Sequence, residues 1–576
     1  MGSLLFDLNQ GNVMDMRVMG TKAFNTLWGF SVGAIVFASV LYLSPQFLRS
    51  QDTATKNRIE KIDELVAKVW EAYQLQPSDP ADDGEWCRRL YLDLIGRIPK
   101  VNELEAFLND ESPNKKEQLV ERLLYGDEYT EEFARNWTTV WTNLLIGRTG
   151  GNANNSLISR EGMQKFLRDA FAREMPYDRF VRELITANGN TRPDGDDFNG
   201  ATNFLIDKVN MDNGAQATAA TSQLFLGLQV QCTQCHNHPF NDWKQQKYWE
   251  FNAFFRQTRA FRGQTDADSP ILADQDYGGE SGNVDEADLF FELRNGLLKV
   301  AYPVFVDGEE IERSGYVNVV NRREKLADFI VNSEYMPKVM ANRMWGYFLG
   351  YGFTKPVDDL GPHNIPSNPE LLDYLSTEFR DSGFDVRSLM KWIVLSRPYS
   401  LSSKITRYNE SDDPLSGQPP RFTHFYIRQM TAEQLYESML VAQGDTAEQY
   451  SFEVQEQRRN RWLQQFASTF GNDEGTESST FNGTIPQVLM MFNGDMIQAA
   501  TTKDSGSIIA QAMQSGRNKG NQAVNFLYRA GLAREANRDE LRVAEQFLGA
   551  RGGDASEAMV DIWWMILNSN EFIFVH

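Results

Sequence analysis

Cysteine and histidine are scarce in this sequence, and positive charge is outnumbered. The chain of 576 residues has three cysteines and five histidines, which excludes a scaffold held together by disulfide bonds. Lys and Arg number 57 against 79 Asp and Glu, giving a formal net charge of -22 at pH 7. A chain this acidic repels a phosphate backbone, so nucleic acid is not an expected partner. The sequence also contains no nucleotide-binding glycine loop, no G-x-S-x-G and no H-E-x-x-H motif.

The scarce residues are concentrated in one stretch. Residues 232–238 hold two of the three cysteines and two of the five histidines. Cys232, Cys235 and His236 form C-x-x-C-H, the pattern of covalent c-type haem attachment. Two thiols at this spacing can each add to one vinyl group of the same porphyrin, and the following imidazole can bind the iron as proximal ligand. Haem c is therefore the expected cofactor, with Cys232, Cys235 and His236 as its binding residues.

Three other interpretations of this stretch remain open. Cys232, Cys235, His236 and His238 offer four donors for a structural Zn²⁺ ion, although Zn²⁺ sites usually draw on two separated ligand pairs. Cys232 and Cys235 can instead form a disulfide, with or without redox activity. In the plainest interpretation, both thiols are buried and the histidines are hydrogen-bonded. The sequence favours haem c, with Zn²⁺ as the least expected alternative.

A haem iron that only transfers electrons usually takes a sixth ligand. The sequence offers a set of methionines at helical spacing and three histidines: Met336, Met340, Met344, His238, His363 and His424. Methionines one helical turn apart more often pack in a core than bind a metal. His238, Met344 and His363 are kept as candidate further ligands, and the sequence does not choose among them.

The sequence has one long uncharged segment. No charged residue occurs from position 23 to 48, and a mostly apolar run of this length is enough to span a bilayer. Arg17 and Lys22 precede it, so the positive-inside rule places the N-terminus in the cytoplasm. No clear small-x-small cleavage site follows, which favours an uncleaved signal anchor at residues 24–48. We therefore expect inner-membrane anchoring with the bulk of the chain periplasmic (extracytoplasmic), the side on which c-type haem is attached.

Helical periodicity dominates the rest of the chain. Residues 259–320 differ, because they are rich in Gly, Asp and Glu and carry short apolar alternations with the hairpin signal Asp307-Gly308. The expected fold class is mainly α: a multi-helical two-domain protein with a small β-containing insertion and an N-terminal transmembrane helix. The expected segments are a cytoplasmic N-terminus with the signal anchor (1–50), a helical domain with the C-x-x-C-H motif (51–258), the acidic loop or β insertion (259–320) and a second helical domain (321–576).

Several long segments resemble a known family. Residues 87–99, 175–187, 225–240 and 248–255 resemble signatures of the planctomycete-type cytochrome family, a domain of unknown activity found in exported proteins. Later segments resemble the second domain usually fused to it: residues 341–346, 357–359, 366–372 and 567–573. The resemblance implies a haem c domain with both thiols, His236 and the second histidine, His238, in a C-x-x-C-H-x-H-P-F pattern. One departure is Asn368, where the family often has His.

A polar constellation in the second half combines Asn342, Arg343, Asp358 and Asp359. Paired carboxylates can carry out acid–base chemistry or bind a cation. An Asp-Asp pair in a turn more often caps a helix or pairs with a nearby Arg, and that structural role is the expected one. Cys87, the third cysteine, is likewise expected to be a small buried core residue.

The expected function is that of a membrane-anchored c-type cytochrome-like protein with one covalent haem, in electron transfer or haem-dependent redox chemistry. The alternative is a structural or interaction protein of the cell envelope, whose Cys/His loop is a disulfide or Zn²⁺ staple without haem. The sequence assigns no enzymatic reaction. The expected partners are an unidentified electron-transfer partner, the membrane through residues 24–48, and an envelope protein complex.

Overall fold

The computed structural model describes residues 53–153, 155–239, 241–262, 269–444, 457–463, 494–516 and 520–576. The chain divides into two compact units, residues 1–58 and residues 59–576. In the first unit, the described residues 53–58 are helical. The elements below all belong to the second unit.

The second unit is built mainly from α-helices, as the sequence predicted. Its helices up to the acidic segment are α1 (59–72), α2 (Asp83–Leu94), α3 (Val101–Leu108), α4 (Lys115–Tyr125), α5 (Thr130–Ile146), α6 (Arg160–Ala172), α7 (Tyr177–Thr186), α8 (Ala215–Thr221) and α9 (Gln245–Asn252). The helices after that segment are α10 (Arg322–Asn332), α11 (Tyr335–Leu349), α12 (Pro369–Asp381), α13 (Val386–Val394), α14 (Arg397–Ser400), α15 (Ala432–Val441), α16 (457–463), α17 (Asp495–Ala500), α18 (Ile508–Ser515), α19 (Gly520–Leu532), α20 (Arg538–Ala550), α21 (Ala555–Leu567) and α22 (Asn570–Ile573).

Local sequence signals explain where several helices begin. The Ser159 hydroxyl accepts a hydrogen bond from the Gly162 N–H at the start of α6. Asn321 Oδ1 accepts from the N–H groups of Arg323 and Glu324 at the start of α10. Such acceptors satisfy backbone donors that have no partner inside the helix. The apolar pattern of α7 matches its packing, since its buried face holds Tyr177, Phe180, Val181, Leu184 and Ile185.

The strands form small antiparallel sheets. β1 (Gly189–Asn190), β3 (Pro270–Asp274) and β2 (Thr258–Arg262) form one sheet in that order. β4 (Leu289–Glu292) pairs with β5 (Leu298–Ala301), and β6 (Arg428–Gln429) pairs with β7 (Phe574–Val575). β2 to β5 lie between residues 258 and 301, at the segment where the sequence analysis placed a β-containing insertion.

One hydrophobic core runs through the second unit, from Ile62 to Val575. It contains fully buried tryptophans from both halves of the chain: Trp86, Trp137, Trp141, Trp345, Trp392 and Trp563. A separate small cluster joins the hairpin β4–β5 to α9 and the residue after it, with Leu289, Phe291, Ala301, Ala253 and Trp249 in contact. The division of the chain at residues 258 and 320 stays a prediction from the sequence.

One part of the expected fold class is corrected. No helix in the described ranges is long and apolar enough to cross a membrane. A span needs about 20 consecutive, mostly apolar residues, whereas helices such as α7 bury one face and carry charged side chains on the other. The expected N-terminal transmembrane helix is therefore not supported, and the expected inner-membrane anchoring and periplasmic placement lose their basis. Residues 24–48, to which the span was assigned, lie outside the described residues.

Candidate functional site

The C-x-x-C-H stretch begins in one turn of 3₁₀-helix, Gln231–Gln234. A π-helix over Ser222–Leu226 precedes it, and Gly227, with φ of +64°, redirects the chain. A Cβ at Gly227 would lie 3.0 Å from the Leu360 side chain. The Leu360 N–H donates to the Gly227 carbonyl at 2.7 Å. Glycine is therefore required here both for its conformation and for the close approach of the segment around Leu360.

Thr233 anchors the turn and leaves the two cysteines outside. Thr233 is fully buried, and its hydroxyl donates to the Val230 carbonyl at 2.5 Å. Cys232 and Cys235 are exposed, and both thiols are free. The interpretation in which both thiols are buried is therefore wrong. Two accessible thiols on one turn can react with a ligand or with each other.

Side chains of α9 hold the turn in place. Gln245 Nε2 and Trp249 Nε1 both donate to the Gln234 carbonyl, at 3.1 and 3.2 Å. The Gln245 N–H also donates to Asn237 Oδ1 at 3.0 Å. Both sides of the Cys235–His236 pair are thus tied to α9. No sequence pattern singles out Gln245, because a single glutamine on an aromatic helix belongs to no motif.

The ring of His236 has a defined partner. His236 is partly exposed, and its Nδ1 lies 2.7 Å from the Asn237 carbonyl oxygen. A carbonyl oxygen can only accept, so this contact places a proton on Nδ1 and leaves the Nε2 lone pair available. A histidine that binds a metal commonly donates its other ring N–H in this way. The arrangement of His236 therefore suits a metal ligand that binds through Nε2.

His238 borders a cavity of about 430 Å³ that His363 and Asp359 also line. The ring centroids of His238 and His363 are 5.3 Å apart. His363 Nε2 lies 3.0 Å from Asp359 Oδ2, and its Nδ1 lies 3.4 Å from Asn241 Nδ2. Burial lowers the pKa of His238, neighbouring His363 lowers it further, and Asp359 acts in the opposite direction. The structure thus brings together two of the candidate ligands, His238 and His363.

The remaining candidate ligands lie in the core. Met344 on α11 is 1% exposed, and Met336 and Met340 are fully buried. His424 is buried as well, and burial lowers its pKa. In the part of the chain that the structure describes, no three His, Cys, Asp or Glu side chains are grouped so as to hold a metal ion.

The two adjacent aspartates have separate roles. Asp358 accepts hydrogen bonds from the side-chain amides of Gln223 and Gln229, at 2.8 and 3.0 Å. Gln223 belongs to the π-helix, and Gln229 lies just before the C-x-x-C-H turn. Asp358 therefore fixes the backbone that leads into the turn, whereas Asp359 contacts His363. Neither glutamine could be found from the sequence, because both contacts join residues more than 100 positions apart.

The other polar residues singled out from the sequence also make structural contacts. Asn342 Nδ2 donates to the Val357 carbonyl at 2.8 Å, and Arg343 Nη1 donates to the Leu224 carbonyl at 3.0 Å. Asn368 caps α12, since its Oδ1 accepts from the Leu371 N–H at 3.1 Å. The contacts of Asn342 and Arg343 connect α11 to the segments around the turn.

Thiol titration of haem-free protein is expected to separate the three cysteines. Cys87 is fully buried on α2, and burial raises the pKa of its thiol, which leaves little reactive thiolate. Cys232 and Cys235 are exposed. We expect an aromatic disulfide reagent to label two thiols in the folded protein and the third only after denaturation. Labelling of Cys87 as fast as the other two would contradict the burial of α2.

The fold and site define a mainly helical protein that presents two thiols and an imidazole on one exposed turn. Residues 61–260 match the family model PSCyt2, described as a protein of unknown function (DUF1549). Residues 322–457 match the family model PSD1, also described as a protein of unknown function (DUF1553). The chain is thus similar to two families of unknown function, in two successive segments. No curated protein and no solved structure matches the chain.

Proposed function

We propose that this chain binds one haem c covalently and serves electron transfer or haem-dependent redox chemistry. Cys232 and Cys235 would form the two thioether bonds, and His236 would be the proximal ligand. Haem c, when bound, supplies an iron centre that accepts and releases one electron. The residues of the chain hold this group and determine how far water reaches it.

The contact between His236 Nδ1 and the Asn237 carbonyl carries the proposal. It lies on the same turn as the two free, exposed thiols, so two attachment points and an imidazole with an available Nε2 occur together. The hydrogen bonds from Gln245 and Trp249 to the Gln234 carbonyl limit movement of the turn. A ligand attached at three points needs a backbone that keeps those points in register.

For a further iron ligand, His363 is a better candidate than Met344. His363 borders the cavity beside His238, and Asp359 orients its ring through Nε2. Nδ1, which lies 3.4 Å from Asn241 Nδ2, is the nitrogen that would have to bind the iron. Met344 is 1% exposed and packs in the core, so it would have to leave a packed position in order to bind. His363 and His238 are therefore alternative candidates for the one iron position that the porphyrin and His236 would leave, and Met344 is dropped.

Replacing His236 by alanine tests the assigned proximal ligand. In cells that contain the cytochrome c maturation machinery, His236→Ala is expected to lose the reduced-form absorption bands of the unmodified protein, because the iron loses its imidazole. Gln231→Ala is the matched control, since Gln231 is exposed on the same turn, and it should keep those bands. A His236→Ala protein with an unchanged spectrum would exclude His236 as the ligand.

A further inference from the structure

The hairpin β4–β5 has an apolar outer face that the described part of the chain leaves largely uncovered. In its register, Phe290 pairs with Val300, and Glu292 pairs with Leu298. Leu289 and Phe291 alternate with these residues and are buried against α9. Phe290 is 38% exposed and Leu298 is 63% exposed. We call Phe290, Leu298 and the partly buried Val300 the outer face. An exposed apolar face on a two-stranded hairpin is unfavourable unless something covers it.

The outer face begins directly beside the C-x-x-C-H turn. The Gln245 side-chain amide donates to the carbonyls of Gln234 and Glu292, each at 3.1 Å. Because both oxygens are 3.1 Å from the same nitrogen, they lie no more than twice that distance from each other. Trp249 makes a second link, because its Nε1 donates to the Gln234 carbonyl while its ring stacks on Phe291. Leu298, the partner of Glu292 in the register, is thus close to the turn that carries both thiols.

We infer that the outer face is a wall of the haem site, so that Leu298 and Phe290 contact the porphyrin. This inference rests on the proposed function. A porphyrin joined to Cys232 and Cys235 is a broad apolar ring that extends well beyond the turn, and it is more stable against apolar side chains than in water. The hairpin end is one neighbouring surface that offers such side chains, and the cavity beside His238, with Leu228, Val230 and Leu360 in its lining, is another.

Charged side chains also lie at the hairpin end. Glu292 is exposed on the outer face itself, beside its partner Leu298, whereas Lys299 pairs with Phe291 on the opposite face. Arg294 is exposed in the turn between the two strands. Haem carries two propionate carboxylates, and an exposed cation such as Arg294 can stabilise one of them.

The midpoint potential of the bound haem tests the inference. Leu298→Asn and Phe290→Ser let water reach the ring, and water favours the more highly charged ferric state. Both variants are expected to lower the midpoint potential in a redox titration followed by visible absorption, with covalent haem content and the unfolding temperature unchanged. Leu415→Asn is the matched control, because Leu415 is 62% exposed on the separate 3₁₀-helix Pro414–Ser416. It should leave the potential unchanged.

The outcomes distinguish this inference from the proposed function. If both hairpin variants bind haem with an unchanged midpoint potential, Leu298 and Phe290 do not contact the porphyrin. The proposal of covalent haem would not be affected by that result. The same shift in Leu415→Asn as in Leu298→Asn would also overturn the inferred contact, because the effect would then not be local to the hairpin. Absence of covalent haem from the unmodified protein would contradict the proposed function, and with it the inferred contact between the outer face and haem.

Discussion

Replacing Cys232 and Cys235 together with alanine is expected to abolish covalent haem. Both thiols are exposed and free on one turn, and no thioether can form without them. The double variant, produced beside cytochrome c maturation machinery, should show no c-type absorption and an intact mass equal to that of the polypeptide alone. Each single variant should keep at most one thioether, which shifts the alkaline pyridine spectrum of the reduced haem.

Cys87→Ala is the control for this experiment. Cys87 is fully buried on α2, and α2 is not part of the turn, so the variant should keep the full haem content. A c-type spectrum that survives in the double variant would show that the chromophore is attached elsewhere. Loss of haem from Cys87→Ala in a folded protein would also contradict the assignment of the attachment site.

Replacing Arg323 by methionine is expected to lower the free energy of unfolding by about 3–5 kcal/mol. Arg323 is 1% exposed on α10, and Nε and Nη2 each lie 2.8 Å from one carboxylate oxygen of Asp274. Nη1 donates to the carbonyls of Ile185 and Ala187, and Nη2 also donates to Asn188. The variant leaves a buried carboxylate at Asp274, on β3, without its cation. Chemical denaturation measures the change.

Arg542→Met provides the comparison for Arg323→Met. The Arg542–Asp539 ion pair has a similar length, 2.8 Å, but both side chains are mostly exposed. Water and salt screen such a pair, so its loss should change the free energy of unfolding by less than about 1 kcal/mol. If both substitutions changed the free energy of unfolding equally, the buried contacts of Arg323 would contribute no more to stability than an exposed ion pair does.

The sequence correctly predicted features that are determined by residues close together in the chain. Helical spacing of apolar residues correctly indicated a mainly helical chain, and the burial of Cys87 was correctly expected. Most segments that resembled the two domain families lie inside the matches over residues 61–260 and 322–457, whereas residues 567–573 lie outside them. The predicted N-terminal transmembrane helix is not supported, because no helix in the described ranges is long and apolar enough to cross a membrane.

Other features depend on contacts between distant segments, which the sequence does not display. His363 was one of several candidate ligands, and only the fold brings its ring to 5.3 Å from that of His238. Asp358 and Asp359 are adjacent in sequence, yet one binds two glutamine amides and the other contacts His363. The position of Leu298 beside the turn depends on Gln245, whose amide joins two segments that are far apart in the chain.

In the proposed function, this chain carries one covalent haem at Cys232, Cys235 and His236. The most direct measurement is the intact mass of the full chain, made beside cytochrome c maturation machinery, together with its pyridine haemochrome spectrum. We expect a mass increase equal to one haem and the spectrum of a haem with two thioethers. A mass equal to the bare polypeptide, with Cys232 and Cys235 oxidised to a disulfide or bound to Zn²⁺, would contradict the proposed function.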